Sequence, residues 1–96
     1  MDIDIDRISA MLSPIFEKHN VKRAVLFGSY AKGKASDTSD IDILVDSGLR
    51  GLAFYGLLDD VVNVMHIPVD LIDTRQVKPD SGIKQEIERT GIEIYG

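Results

Sequence analysis

The sequence predicts a small α/β domain in which a mixed β-sheet is flanked by helices. Some short segments are apolar runs that end at glycine or alternate between apolar and polar residues, and both patterns are typical of strands. Longer segments repeat apolar residues every three or four positions, which is typical of helices. The segments follow the order helix, strand, strand, helix, strand, helix. Because the 96 residues contain no repeat or linker, we expect one domain over residues 1–96.

The first helix is predicted over about residues 5–19, where apolar side chains recur on one face. Pro14 interrupts this segment. Either the helix kinks there, or Ser13 caps a second short helix that has Pro14 in its first turn. A buried strand is predicted at 23–27, where an apolar run is ended by Gly28.

The next strand is predicted at 40–46, because its residues alternate strictly between two faces. One face carries only isoleucine and valine, as a buried face does. The other face carries Asp40, Asp42 and Leu44, which is an unusually acidic composition for a strand. The segment therefore combines a core-forming face with a candidate site.

A second helix is predicted after Gly51, with an apolar stripe wide enough to cover part of a sheet. The centre of that stripe is expected at Leu52, Tyr55, Leu58, Val62 and Met65, with Leu57, Val61 and Val64 widening it. A third strand is predicted at 68–73, which is mostly apolar.

The last helix is expected to be capped by Asp80 or Ser81, with Ile83 and Ile87 facing inward. The closing residues 92–95 alternate between apolar and polar positions. That pattern fits either a short fourth strand or a continuation of the helix.

Composition excludes several classes of protein. Sixteen acidic against eleven basic side chains give a net charge of −5, which makes long nucleic acid an unlikely partner. The absence of cysteine removes disulfides, thiolate metal sites and cysteine nucleophiles, and it fits a cytoplasmic protein. No apolar stretch approaches the ~20 residues that a membrane span needs. The acidic first residues do not resemble a signal peptide.

Three aspartates form the candidate chemical site. Asp40 and Asp42 are two residues apart on one strand, so they point to the same side, roughly 6.6 Å apart along the strand. Such a pair can bind a divalent cation, although a solvated strand face explains the pair alone equally well. Asp70 interrupts an otherwise apolar strand, and it would join the pair if the two strands are neighbours. Asp73 would face the other way, and we interpret it as a turn or helix cap.

A glycine and a serine, Gly28 and Ser29, directly follow the first predicted strand. Backbone amides at a glycine can approach a phosphate closely, and a serine hydroxyl can donate to it, but alone the pair fits an ordinary turn better. The spacing from Gly28 to Gly33 and Lys34 nearly matches a P-loop. Ala35 stands where a P-loop needs a serine or threonine to hold magnesium, so we set that reading aside.

The segment LFGSYAKGKASDTSDIDILVD resembles the core motif of the DNA polymerase β-like nucleotidyltransferase superfamily, and it is most similar to the minimal nucleotidyltransferases. The motif positions are matched by Gly28, Ser29, Lys32, Gly33, Ser39, Asp40, Asp42 and Asp70. The sequence departs from the family at Lys32, where arginine is common. Lysine keeps the positive charge, but it cannot hold a phosphate with two parallel hydrogen bonds.

The resemblance implies a magnesium-dependent nucleotidyltransferase that moves AMP from ATP to a hydroxyl acceptor. It implies that Asp40, Asp42 and Asp70 are catalytic and hold two Mg²⁺ ions. It also implies that Gly28, Ser29, Lys32, Gly33 and Ser39 bind the nucleoside triphosphate.

Minimal members of this superfamily resemble the antitoxin of a two-component, type VII-like toxin–antitoxin pair. The implied partner is a HEPN ribonuclease toxin, with one of its tyrosines as the acceptor. Two alternatives stay open: a non-catalytic module that blocks a toxin by contact, and a small-molecule nucleotidyltransferase whose acceptor site lies in a homo-oligomer interface.

Overall fold

The chain folds into three helices and a four-stranded sheet, as seen in a computed structural model that describes residues 5–28, 40–66, 68–78 and 80–96. The elements are, in chain order, α1 (Ile5–Lys18), β1 (Arg23–Phe27), β2 (Ile41–Asp46), α2 (Leu52–Met65), β3 (Val69–Asp73), a 3₁₀ helix (Thr74–Gln76), α3 (Gly82–Thr90) and β4 (Ile92–Tyr95). No helix in these ranges is both long enough and apolar enough to cross a membrane.

The sheet is mixed, with the strand order β3-β2-β1-β4. β1 pairs antiparallel with both β2 and β4, and β2 pairs parallel with β3. The predicted mixed α/β architecture is therefore confirmed. The closing residues form a strand, β4, because β1 offers them a free edge to pair with.

The main core lies between one face of the sheet and the helices α1 and α2. The isoleucine and valine face of β2 is fully buried there, as its alternation predicts. The core side chains from the strands are Ala24, Leu26, Ile41, Ile43, Val45, Leu71 and Ile94. The opposite face of the sheet carries Asp42 and Asp46 of β2 and Asp70 of β3, and α3 packs against β1.

α1 is one helix that continues through Pro14. The second short helix, one of the two expected outcomes, does not form, because the Ser13 hydroxyl donates to the carbonyl of Ser9 in the preceding turn (2.6 Å) instead of capping. Apolar side chains on both sides of Pro14 are buried against the sheet, and this packing outweighs the hydrogen bond that proline removes. Ser9 also donates to the carbonyl of Ile94 (2.6 Å), which joins α1 to β4.

The apolar stripe of α2 is divided between the core and the surface. Its buried line consists of Leu57, Val61 and Met65. Three members of the expected centre are exposed instead: Leu52 is 89% exposed, Tyr55 65% and Val62 43%. The prediction of the stripe's centre was wrong because apolar residues surround more of this helix than the sheet and α1 can cover.

α3 begins after Ser81, whose hydroxyl accepts a hydrogen bond from the amide of Lys84 (3.2 Å), so Ser81 and not Asp80 is the cap. The expectation that Ile83 faces inward was wrong, since this side chain is 39% exposed. Ile87 is half-buried. α3 packs mainly on β1 through its C-terminal end, and its first turn lies outside that contact.

Candidate active site

Asp42 and Asp70 are directly opposite each other on neighbouring parallel strands. The spacing of paired strands is about 4.8 Å, and partners in register project from the same face of the sheet. The structure therefore brings together the two carboxylates that the sequence separates by 28 positions. Their face is the one opposite the main core, so both side chains remain accessible in part.

Asp40 lies immediately before β2, where its side chain is exposed. The pKa of Asp42 is raised above 3.8 by burial and then, in decreasing order, by the negative charges of Asp70, Asp40 and Glu86. The negative charges of the other two predicted carboxylates thus act on Asp42. A cation at this group would relieve their mutual repulsion.

Gly28 ends β1 next to this group, and it has a positive φ of 75°. β1 and β2 are paired so that Phe27 is opposite Asp42, which places Gly28 against the Asp42 side chain. A Cβ atom on residue 28 would overlap Oδ2 of Asp42 and lie 3.2 Å from its Cγ. Glycine is therefore required here for two reasons, the backbone conformation and the space that Asp42 takes.

The other predicted nucleotide-binding residues lie outside the described residues. They are Ser29, Lys32, Gly33 and Ser39. Their assignment remains a prediction from the motif.

Asp73 is a structural residue, as the sequence analysis expected. Its buried carboxylate accepts from the Ser47 hydroxyl and from the amides of Arg75 (3.1 Å) and Ser47 (3.4 Å). Its own amide donates to the Gln76 side chain (3.0 Å), which completes a capping box at the 3₁₀ helix. Burial raises the pKa of Asp73, but the hydrogen bonds from Ser47 and Arg75 outweigh burial and leave the pKa lowered. Asp73 faces the core side of the sheet, away from Asp70.

The carboxylate group fits a magnesium ion that is shared with a nucleotide. Within the described ranges, no three side chains of His, Cys, Asp or Glu are arranged to enclose a metal ion by themselves. Mg²⁺ is usually held by one or two carboxylates together with substrate phosphates and water, and it prefers oxygen ligands. Asp42 and Asp70, with Asp40 beside them, supply that donor set.

Glu86 is a neighbour of the site that sequence reasoning missed. It lies on α3, and its charge contributes to the raised pKa of Asp42. The sequence shows Glu86 only as one polar residue of an amphipathic helix. The effect of its charge on Asp42 depends on how α3 packs against β1, which no local pattern specifies.

The chain is similar to known proteins over most of its length. The family described as "Polymerase beta, Nucleotidyltransferase" matches residues 11–96, which include Gly28 and all three aspartates. A "Putative protein adenylyltransferase" of Methanocaldococcus jannaschii is 52% identical over 80 residues, which cover 80% of this chain and 85% of that protein. A second protein of the same description and organism is 41% identical over 63 residues, covering 64% of this chain and 73% of its own length.

Solved structures share the fold. A "putative minimal nucleotidyltransferase" has a TM-score of 0.74 at 27% identity, and the match covers 94% of this chain and 95% of that one. A crystal structure of a toxin–antitoxin with AMP-PNP has a TM-score of 0.77 at 25% identity, covering 92% of this chain and 73% of that one. A Shewanella oneidensis HEPN toxin in complex with its MNT antitoxin matches with a TM-score of 0.72 at 22% identity, covering 97% of this chain and 73% of that one.

Proposed function

The chain belongs to the polymerase beta nucleotidyltransferase family, and from this premise we propose that it transfers AMP from ATP to a hydroxyl group of a partner protein. The observation that carries the proposal is the pairing of Asp42 with Asp70 in register, beside a glycine that leaves room for the Asp42 carboxylate. Paired carboxylates of this kind can hold the metal ions that stabilise negative charge on a phosphoryl group during its transfer.

In the proposed reaction, the acceptor oxygen forms a bond to the α-phosphorus of ATP. The bond from that phosphorus to the bridging oxygen of the β-phosphate breaks, and pyrophosphate leaves. The proton of the acceptor hydroxyl passes to a base or to water. AMP is thereby joined to the acceptor through a phosphodiester bond.

Asp40, Asp42 and Asp70 are the residues that would hold magnesium, with two ions as the proposed number. When bound, magnesium supplies Lewis-acid stabilisation of the triphosphate charge and lowers the pKa of a hydroxyl next to it. Asp42 lies on β2 and Asp70 on its neighbour β3, so the sheet itself fixes the relative position of this pair, and Asp40 directly precedes β2. Gly28, Ser29, Lys32, Gly33 and Ser39 are proposed to bind the nucleotide.

The proposed partner is a HEPN-type toxin, and the proposed acceptor is one of its tyrosine hydroxyls. Two observations support this assignment: relatives over most of this chain are named as protein adenylyltransferases, and a toxin–antitoxin structure with AMP-PNP shares the fold. The chain would then act as the antitoxin, in the cytoplasm. The net charge of −5 supports a protein acceptor over long nucleic acid.

Position-specific labelling tests the proposal. The purified chain is added to extract of its native cells with Mg²⁺ and ATP carrying its label on either the α- or the γ-phosphate. We expect the α-label in a protein band and the γ-label in pyrophosphate. Mass spectrometry of the labelled protein should show a tyrosine that has gained the mass of one AMP group. Label in the small-molecule fraction would indicate that the acceptor is a small molecule and not a protein. Absence of both label transfer and ATP binding would favour a module that acts by contact alone.

A further inference from the structure

A line of five exposed residues, three of them apolar or aromatic, runs along the side of α2 that faces away from the core. Its members are Leu52, Tyr55, Asp59, Val62 and His66, which we call the α2 seam. They are spaced alternately by three and four residues, which is the a/d spacing of a helix that packs against another helix. All five side chains are exposed. No packing within the described part of the chain explains the apolar members.

The seam is bordered by grooves along its length. One groove of about 520 Å³ is lined by Tyr55, Asp59 and Val62, together with neighbouring residues of α2. A second groove of about 430 Å³ continues from Val62 to His66 and Pro68. Both grooves are shallow and they share Val62, so together they form one path from Tyr55 toward the C-terminal end of α2.

This path ends at the carboxylate edge of the sheet. The carbonyl of Pro68 accepts a hydrogen bond from the amide of Ile41 (2.9 Å), and Ile41 stands between Asp40 and Asp42 in the chain. A helix lying along the α2 seam would therefore have one end at the edge of the sheet that also carries the candidate active site. A surface that holds an acceptor protein needs that placement.

The negative charge of Asp59, at the centre of the seam, favours a partner helix that carries a positive charge. Asp59 is the middle one of the five positions, and its carboxylate accepts a hydrogen bond from the side-chain amide of Asn63 one turn further along α2 (3.3 Å). If two copies of this chain packed seam to seam, the two Asp59 carboxylates would meet in either the parallel or the antiparallel orientation. Like charges at that position oppose self-association, whereas a lysine or arginine on a different helix would be attracted.

We propose that the α2 seam binds one amphipathic helix of the acceptor protein, with a lysine or arginine of that helix opposite Asp59. This inference rests on the proposed function only for the identity of the acceptor. The apolar contacts would come from Leu52, Tyr55 and Val62, of which Tyr55 has the character of an interface anchor. The seam would thus select the partner, while the aspartates of the sheet perform the transfer.

The test uses two synthetic helical peptides about three heptads long, with apolar a and d positions. One peptide has lysine at the central a position and the other has glutamate there. Binding is measured by fluorescence anisotropy at trace peptide concentrations. We expect the wild-type chain to bind the lysine peptide at least about tenfold more tightly than the glutamate peptide. Asp59→Lys should reverse that preference, and Tyr55→Ala should weaken binding of the lysine peptide.

Glu88→Lys on α3 is the matched control, since it reverses a charge on the other side of the sheet and should leave the preference unchanged. Equal binding of both peptides, or no binding of either, would overturn the proposal. So would a wild-type dimer in sedimentation equilibrium that Tyr55→Ala dissociates, because a second copy would then occupy the seam. None of these measurements contains nucleotide, so their failure is distinct from a failure of AMP transfer.

Discussion

The carboxylate of Asp42 occupies the space that a Cβ atom on Gly28 would fill. The two residues come from neighbouring antiparallel strands, and the pairing of Phe27 with Asp42 fixes their contact. The glycine of the motif therefore has a local structural purpose, which is to let a carboxylate lie against the end of β1.

Gly28→Ala should reduce nucleotide transfer by at least about 100-fold, because the new methyl group displaces Asp42 by a distance that matters for catalysis. Gly48→Ala is the matched control. Gly48 also has a positive φ (69°), but no atom lies within 4 Å of a Cβ built there. Both variants should lose roughly 1 kcal/mol of stability from the strained backbone, and only Gly28→Ala should lose activity. Equal activity of the two variants would contradict this account of Gly28.

Asp42→Asn should make the nucleotide-free protein more stable while abolishing transfer. The pKa of Asp42 is raised in the fold by burial and by the charges of Asp70, Asp40 and Glu86, so the ionised carboxylate destabilises the folded state. The gain should stay below about 1 kcal/mol, because the group is partly exposed and solvent screens its charge.

The pH dependence of that gain is also predicted. The penalty for the ionised Asp42 applies above its raised folded pKa and disappears as the carboxyl group is protonated at lower pH. Thermal unfolding of wild type and Asp42→Asn should therefore differ most near neutral pH and converge toward pH 3.8 and below. A variant less stable than wild type at neutral pH would refute the interpretation.

Asp73→Asn should destabilise the protein by about 1–3 kcal/mol near neutral pH, since it disturbs a buried acceptor of several hydrogen bonds. The pKa of Asp73 is lowered in the fold, so its stabilisation is present above 3.8 and is lost as the pH falls through the lower folded value. Urea unfolding over a pH series measures the effect. Asp80→Asn, at an exposed position, should change stability little, and an equally small effect of Asp73→Asn would contradict the capping role.

Gly56→Ala should stabilise the protein by roughly 0.5–1 kcal/mol, because alanine is the better residue within a helix. Gly56 lies inside α2, and a Cβ atom there would meet only Cε1 of His19, at an ordinary van der Waals distance of 3.9 Å. Chemical denaturation of the two proteins gives the difference in unfolding free energy. Destabilisation would show that the space beside His19 is tighter than the structure indicates.

The sequence predicts the strands and the carboxylate group well, because both depend on local patterns. The alternation through Asp42 specifies one buried and one acidic face. An aspartate in an otherwise apolar strand, Asp70, points to a neighbouring charged site. The position of Asp73, three residues further, places it on the other face, where the structure shows a cap.

Other features depend on tertiary packing and could not be predicted from local patterns. α2 has more apolar residues than its neighbours cover, so the pattern alone does not indicate that Tyr55 is exposed and Leu57 buried. The fourth strand forms because β1 has an unpaired edge, which the last residues themselves do not specify. The effect of the Glu86 charge on the pKa of Asp42 likewise follows from the packing of α3 on β1.

The assignment of the carboxylates as the catalytic centre is tested by comparing the transfer of α-labelled AMP to protein by wild type and by four single Asp→Asn variants. Three variants change the carboxylate group, at Asp40, Asp42 and Asp70. The fourth changes Asp46, a carboxylate on the same face at the far end of β2. We predict that the first three lose at least about 100-fold of the activity and that Asp46→Asn retains it. Undiminished transfer by Asp42→Asn or Asp70→Asn would contradict the assignment of this pair as the catalytic centre.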